Sequence, residues 1–263
     1  MKLTFRIYVT FLKRLPVVLV LLYSPFVSAQ DYDATLRWSQ KTALGTVVSG
    51  IVEKVYVDVG DRVNKGKILV QLDASVFKAH VTEYQAKLKS AAEHLKEMER
   101  ERDRALELYD RTVLSEHDLQ MAKNSYIAAK ANYEKVRASL TEKEFNLKYS
   151  TVRAPFNAIV LARNAQPGQI IATEFEQLPL VVVAAADKML AQLMVPEEEL
   201  GKMQKGKSVK ITVAENVFTG QIQSVSLEPL SDKKVTKKYP VNVEFDVDNN
   251  VLRSGLSAKV SIE

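Results

Sequence analysis

The chain has 263 residues, 46% hydrophobic and 26% charged, a globular composition long enough for two or three small modules and unlike a disordered polypeptide. Its net charge of +5 sits almost wholly in the segment 1–29, where Lys2, Arg6, Lys13 and Arg14 meet no acid; the remainder carries +1, which gives nucleic-acid binding no support. The absence of cysteine excludes a disulfide framework and a bacterial lipoprotein, whose lipid is carried on a cysteine at the cleavage point.

Residues 1–29 read as an export signal: basic residues, then the apolar run from Leu15 to Val27, then small residues ending at Ala29. Cleavage is expected after Ala29. Retention as an uncleaved anchor is the alternative, because counting from Phe5 lengthens the apolar run toward a membrane span. The rest is expected to be exported and soluble, or tethered only by its N-terminus. Residues 30–44, with the alternating stretch "ATLRWSQ", form a strand segment expected to join a C-terminal barrel.

A weak internal repeat follows. "GIVEKVYVDVGDRV" (50–63) lies against "AIVLARNAQPGQII" (158–171) at one constant offset, matching Ile51 with Ile159, Val52 with Val160, Gly60 with Gly168, and Val63 with Ile171. Each stretch has short β-branched strands, a Gly at a turn, and a second apolar run, "KILVQLD" or "QLPLVVVA". Two such halves, 45–74 and 150–185, would bury one core that neither can build alone.

"SGIVEKVYVDVGDRVNKGKILVQLD" with "YSTVRAPFNAIVLARNAQPGQIIA" resembles the split lipoyl-like domain, a barrel-sandwich hybrid, of the periplasmic adaptor or membrane-fusion proteins of the HlyD family. The chain departs from that pattern at Asn157 and Ala158, where the family has Asp or another polar residue and then Gly. Biotinyl and lipoyl carriers share the half-motif, but join their halves by a tight hairpin presenting a modifiable Lys. Here a long insertion replaces that hairpin and "LDASVFKA" stands in its place, with Lys78 opening a helix.

That insertion, residues 75–149, carries apolar residues at heptad spacing. The first arm places Val81, Tyr84, Leu88, Ala91, Leu95, Met98, Arg102, Ala105 and Tyr109 on its seam; the second places Leu119, Ala122, Tyr126, Ala129, Tyr133, Val136, Leu140, Lys143 and Leu147. Arg102 and Lys143 are the polar breaches. Neither arm contains Pro or Gly, and Ser115 with Asp118 reads as an N-cap, so the second helix starts near Glu116. Two arms of roughly 35 residues fold back as an antiparallel coiled-coil hairpin about 50 Å long.

The corner "RALELYDRTVLSEHDL" (104–119) contains neither Gly nor Pro. In adaptors of the resembled family, a tip that docks on the outer-membrane duct carries Arg, Leu four residues on, and Ser seven further. Arg104, Leu108 and Ser115 have those spacings. The resemblance therefore implies a docking surface, with Arg forking onto carbonyls or carboxylates, Leu filling a groove and Ser hydrogen-bonding without bulk. A plain capped turn with a solvated Arg is the other reading.

Residues 186–263 change to strand patterns, "MLAQLMVP", "KSVKITV", "VFTGQIQSVSL", "YPVNVEFDV" and "LSAKVSIE", with "AEN" and "DNN" as turns and a short helix expected in "PEEELGKMQKG". With 34–40 these suggest a small antiparallel barrel. "LRSGLSAKVSIE" resembles the closing motif of the family's β-barrel domain, with Ser254 where Pro is common. The fold class is thus α+β, mainly β, with a long helical hairpin. Relatives often continue into a membrane-proximal domain, and this chain is expected to stop at the barrel.

No catalytic, metal or cofactor site is expected. His80, His94 and His117 lack ligand partners at metal-site spacing, and Met98 and Met121 read as packing or helix-surface residues. Lys188 in "ADK" marks a turn. Lys233, Lys234, Lys237 and Lys238 crowd one loop, either solvated or facing anionic headgroups or an acidic protein. The resemblance implies a ring-forming adaptor, peripheral to the inner membrane in the periplasm, between an inner-membrane transporter (RND type first, ABC second) and a TolC-like outer-membrane channel. A biotinyl or lipoyl carrier and a coiled-coil scaffold without a transport role are the alternatives.

Overall fold

Alternating burial shows why the first strand forms. In the computed structural model, which describes residues 30–173, 179–230, 237–247 and 252–262, Tyr32, Ala34 and Leu36 of β1 (Gln30–Trp38) point inward while their neighbours face water. Residues 1–29, with the expected signal and its cleavage point, lie outside the described residues, as do Lys233, Lys234 and the "DNN" turn.

Three units follow along the chain. β2 (Lys41–Leu44), β3 (Gly50–Val55), β4 (Arg62–Val63) and β5 (Ile68–Leu72) precede the helices α1 (Ser75–Asp110) and α2 (Glu116–Tyr149). After them come β6 (Thr151–Arg153), β7 (Ala158–Arg163), β8 (Ile170–Ile171) and β9 (Val181–Ala185). β10 (Lys188–Pro196), β11 (Ser208–Val213), β12 (Asn216–Val225), β13 (Lys238–Asp246) and β14 (Ser257–Ile262) complete the chain. The short helix expected after Pro196 is a 3₁₀ turn over Glu197–Lys202. Its length of 6 residues leaves little room for α-type bonding.

The sandwich consists of two four-stranded sheets, β2-β9-β7-β4 and β6-β5-β3-β8. Neither sheet belongs to one half of the repeat, since β4 of the first half pairs with β7 and β8 of the second half pairs with β3. The exchange is reciprocal down to single bonds. Gly60 N–H donates to Val160 O and Gly168 N–H to Val52 O, each at 2.8 Å; Val52 N–H donates to Gln169 O at 2.8 Å and Val160 N–H to Asp61 O at 2.9 Å. Gly60 and Gly168 have φ of 95° and 84°, a conformation that an L side chain resists, which explains why both repeats keep Gly there. Val52, Leu69, Leu72, Val160, Val181 and Val183 fill the shared core. Asn157 at the departing position is used: its side-chain oxygen accepts from Lys65 N–H at 3.0 Å, tying one half to the other.

The 30–44 segment divides between the two β units. β1 enters the barrel, whereas β2, expected to serve the barrel too, pairs with β9 in the sandwich. So short a strand has too little periodicity to choose a sheet; the Val181–Leu44 register does so. The barrel closes in the order β1-β10-β13-β12-β11-β14, antiparallel throughout, around Leu36, Met189, Leu193, Ile211, Ile222, Val243 and Val260. Gly255 N–H to Leu36 O and Leu36 N–H to Leu256 O, both 2.8 Å, fasten the last strand's approach to β1, and Ser254 adds a hydroxyl bond to Leu36 O.

At Gly220 the barrel wall has no room for a side chain. A Cβ there would stand 2.6 Å from Ile211 Cδ1 and 2.7 Å from the Glu244 carbonyl oxygen. Since the second neighbour is backbone and cannot rotate away, Gly220→Ala is expected to destabilise the protein by about 1–3 kcal/mol in urea unfolding. A change within a few tenths of wild type would show that the wall yields.

Candidate functional site

The two helices are long, 36 and 34 residues, about 50 Å at the α-helical rise. Both ends of the insertion are held at the sandwich. Leu72 N–H donates to Ser150 O at 2.8 Å, the Thr46 hydroxyl to Tyr149 O at 2.8 Å, and the buried Ser150 hydroxyl to Leu147 O at 2.7 Å. At the start of α1 the Asp73 carboxylate accepts from Ser75 N–H at 2.9 Å, and the Ser75 bonds hold Asp73 below the usual carboxylate range.

The polar breaches turn out to be contacts. The Arg102 guanidinium lies 4.1 Å from the centroid of Tyr126, and Lys143 Nζ lies 5.6 Å from that of Tyr84. Each cation thus meets a seam tyrosine of the opposite helix, and the two stacks define one antiparallel register. Heptad spacing alone makes both residues interruptions. The usable signal was that, with the arms folded back, each breach falls opposite a Tyr. Buried seam positions are few: Val81, Ala91 and Ala105 on α1, Leu119 and Ala129 on α2.

The corner explains how a helix ends without Gly. Thr112 N–H bonds to Tyr109 O at 2.8 Å and Val113 N–H to Leu108 O at 3.0 Å, the paired closure of a Schellman motif. Its left-handed position is occupied by Thr112, with φ of 58°. A β-branched residue is strained there. Ser115 then starts α2: its hydroxyl accepts from Asp118 N–H at 3.1 Å and donates to the Asp118 carboxylate at 2.6 Å.

Of the three residues singled out from the sequence, Arg104 is exposed and Leu108 is half-buried one turn on, along the same face of α1. Ser115 is exposed across the corner, with its hydroxyl already engaged in the cap, so it positions the second helix whatever else it touches. Arg104 differs from the other arginines of the helical pair and its corner. Arg100, Arg102, Arg111 and Arg137 each form an ion pair with a carboxylate three or four residues before them. Arg104 forms no such contact pair among the described residues; the Glu97 carboxylate, which Arg100 already holds, feels its charge only from farther off. Around it the tip exposes Leu106, Tyr109 and Val113, the last at 72%. His80, His94 and His117 are exposed, and among the described residues no three His, Cys, Asp or Glu side chains cluster to hold a metal. No helix among the described residues is long and apolar enough to cross a membrane.

The family model for the CzcB-like, barrel-sandwich hybrid domain matches residues 41–181. The macrolide export protein MacA of Yersinia pestis is 27% identical over 245 residues, covering 85% of this chain and 65% of the relative. The pyoverdine export membrane fusion protein PvdR of Pseudomonas putida is 30% identical over 200 residues, covering 68% of this chain and 49% of the relative. The chain therefore spans about half to two thirds of the length of these curated relatives. Among solved structures, the membrane fusion protein Spr0693 of Streptococcus pneumoniae superposes with a TM-score of 0.69 at 17% identity, covering 89% of this chain and 98% of that one. MacA of Actinobacillus actinomycetemcomitans gives 0.59 at 23% identity, covering 89% and 78%. At these identities the superpositions establish the fold.

The corner and the stacks can each be tested by substitution. Thr112→Gly should raise stability by about 1 kcal/mol by removing the left-handed strain, and Ser115→Ala should lower it by about 1 kcal/mol by removing the cap. Opposite shifts in urea midpoint check the pair; equal signs contradict the corner geometry. A double-mutant cycle of Arg102→Ala with Tyr126→Ala should give a coupling of about 0.5–1 kcal/mol, and additive losses would mean the stack contributes nothing.

Proposed function

From the premise that this chain belongs to the CzcB-like barrel-sandwich hybrid family, the membrane-fusion adaptors, we propose that it is the periplasmic adaptor subunit of a tripartite export system. Its helical pair acts as a coiled-coil hairpin whose tip docks on a TolC-like outer-membrane channel. The sandwich and barrel serve an inner-membrane transporter, of the RND type first and the ABC type second. Several copies associate side by side into a ring, at the periplasmic face of the inner membrane.

The observation that carries this reading is Arg104. Among the described residues it is the one arginine of the helical pair without a carboxylate in contact, near the far end of helices about 50 Å long. A charged fork left unpaired beside Leu108 and exposed Val113 suits the carbonyl-rich helix ends of a partner, with Leu108 entering the groove between its helices. Exposed ion pairs elsewhere on the helices contribute little to stability, so pairing Arg104 internally would gain the fold little and remove the contact. The chemistry is mechanical: the adaptor holds an open path, and the transporter supplies the energy. MacA and PvdR, by their names, export a macrolide and pyoverdine; a small exported compound is the corresponding cargo class here.

The test uses the absence of cysteine. A Leu108→Cys chain carrying a photoreactive crosslinker in intact cells is expected to form an adduct with the outer-membrane channel, and no adduct despite normal adaptor levels would overturn the docking role. Arg104→Asp is expected to abolish export while the level and helicity of the adaptor stay at wild type. Loss of helicity instead would make Arg104 a structural residue. A mass increment on any Lys of the mature chain would favour the lipoyl-carrier alternative.

A further inference from the structure

The end of the barrel away from the sandwich carries Leu227, the most exposed large apolar side chain among the described residues. β12 and β13 run on past the rim as a ribbon: Ser226 N–H donates to Pro240 O at 2.9 Å and Leu230 N–H to Lys238 O at 3.1 Å. The Ser226 hydroxyl also donates to Glu228 O at 2.8 Å. Leu227 and Leu230 therefore sit on a hydrogen-bonded ribbon, yet they are 96% and 68% exposed. A soluble surface rarely holds two neighbouring leucines so fully in water without a use for them. Lys237 and Lys238 are exposed on the returning strand and have no ion-pair partner among the described residues; Glu228 is the one acid of the described ribbon.

The same end receives the N-terminal polypeptide. Gln30 pairs with Ile262, and its side chain is held by Glu199 at 2.7 Å and Lys202 at 3.1 Å, in the 3₁₀ turn that follows β10 at this rim. The N-terminus at Gln30, which the apolar run from Leu15 to Val27 precedes when it is retained as an anchor, thus lies at the rim that bears the exposed leucines. At the opposite rim, Trp38 and Lys188 lead into the sandwich, which sends its helices onward from Leu72 and Ser150.

We propose that the Leu227–Leu230 ribbon with Lys237 and Lys238 is a membrane-contact surface that seats this end of the barrel on anionic phospholipid. The leucines enter the headgroup boundary and the lysines meet the phosphates, with their stems lying along the apolar layer. Here two leucines and two unpaired lysines project together from a narrow ribbon, at the rim where the apolar N-terminal segment leads in when it is retained. This surface lies at the other end of the molecule from the tip, and its role holds or fails without the channel.

The full chain is reconstituted on vesicles, either of phosphatidylethanolamine with phosphatidylglycerol or of phosphatidylcholine alone. A single environment-sensitive fluorophore is placed through Leu230→Cys, through Leu227→Cys as a second position, or through Glu215→Cys at the other end of the barrel as control. On anionic vesicles the probes at 227 and 230 are expected to shift to the blue and to be quenched by brominated lipid, while that at 215 stays aqueous. Lys237→Gln and Lys238→Gln should each weaken the contact about fivefold, and raised salt should weaken it further. An aqueous signal at both ribbon positions on anionic vesicles would overturn the proposal. So would quenching indifferent to lipid charge and to the lysines, which would mean passive dragging by the N-terminal segment. Quenching that appears only when an inner-membrane transporter is co-reconstituted would replace lipid by a protein partner. None of these outcomes bears on crosslinking at Leu108.

Discussion

Two stretches on either side of a long insertion must find each other for anything else in this molecule to exist. β3 and β7 hand each other their turn strands, and each turn glycine donates to the valine of the opposite repeat. The entropy of bringing distant segments together grows only slowly with the length between them, so the inserted helices burden this closure little more than a short loop would. What the closure demands is geometric. The chain leaves at Leu72 and returns at Ser150, which are bonded to each other, so whatever is inserted must begin and end at one point. Two helices of nearly equal length folded back on themselves meet that demand without disturbing the sheets.

The helical pair has little else to hold it. Its seam buries few side chains, and its many surface ion pairs sit half in water, where each contributes little. Specific pairing therefore rests on features that penalise slippage. Arg102 over Tyr126 and Lys143 over Tyr84 are such features, since a shift of one heptad loses one of the two stacks in either direction: Arg102 would face Leu119 one way, and Lys143 would face Ala91 the other. A polar residue in a seam can set register at some expense in stability, and here the expense is reduced by giving each charge an aromatic face and an acid of its own helix, Asp103 or Glu142. The corner follows the same logic. Thr112 accepts a strained conformation so that Val113 and Ser115 close one helix and open the next between Asp110 and Glu116.

Much of this was legible in the residues. The constant offset of the repeat placed β3, β4, β7 and β8 together with their two positive-φ glycines, because paired β-branched runs around a turn glycine have few other readings. The Ser115 to Asp118 spacing located the second helix at Glu116, since a cap is a local contact. Less visible was the allegiance of Lys41–Leu44, the cation-to-tyrosine stacks, the left-handed Thr112 and the lack of a contact partner at Arg104. The strand allegiance and the stacks depend on what lies far away along the chain; Thr112 and Arg104 turn on the rotamers and backbone of neighbours within one helical turn, which spacing alone does not fix. Ser115 keeps the cap role its spacing to Asp118 indicates, its hydroxyl being committed to the helix start before any partner arrives.

The sequence by itself determined the elements and their order, because hydrophobic periodicity, capping and turn residues act over a few positions and do not need the rest of the chain. Only the tertiary structure decided which sheet each short strand joined, which seam cation met which tyrosine of the opposite helix, and which apolar side chains were left in water at Leu227 and Leu230. Those are properties of contact between distant segments, and a side chain's partner, or its lack of one, exists only once the chain has closed on itself.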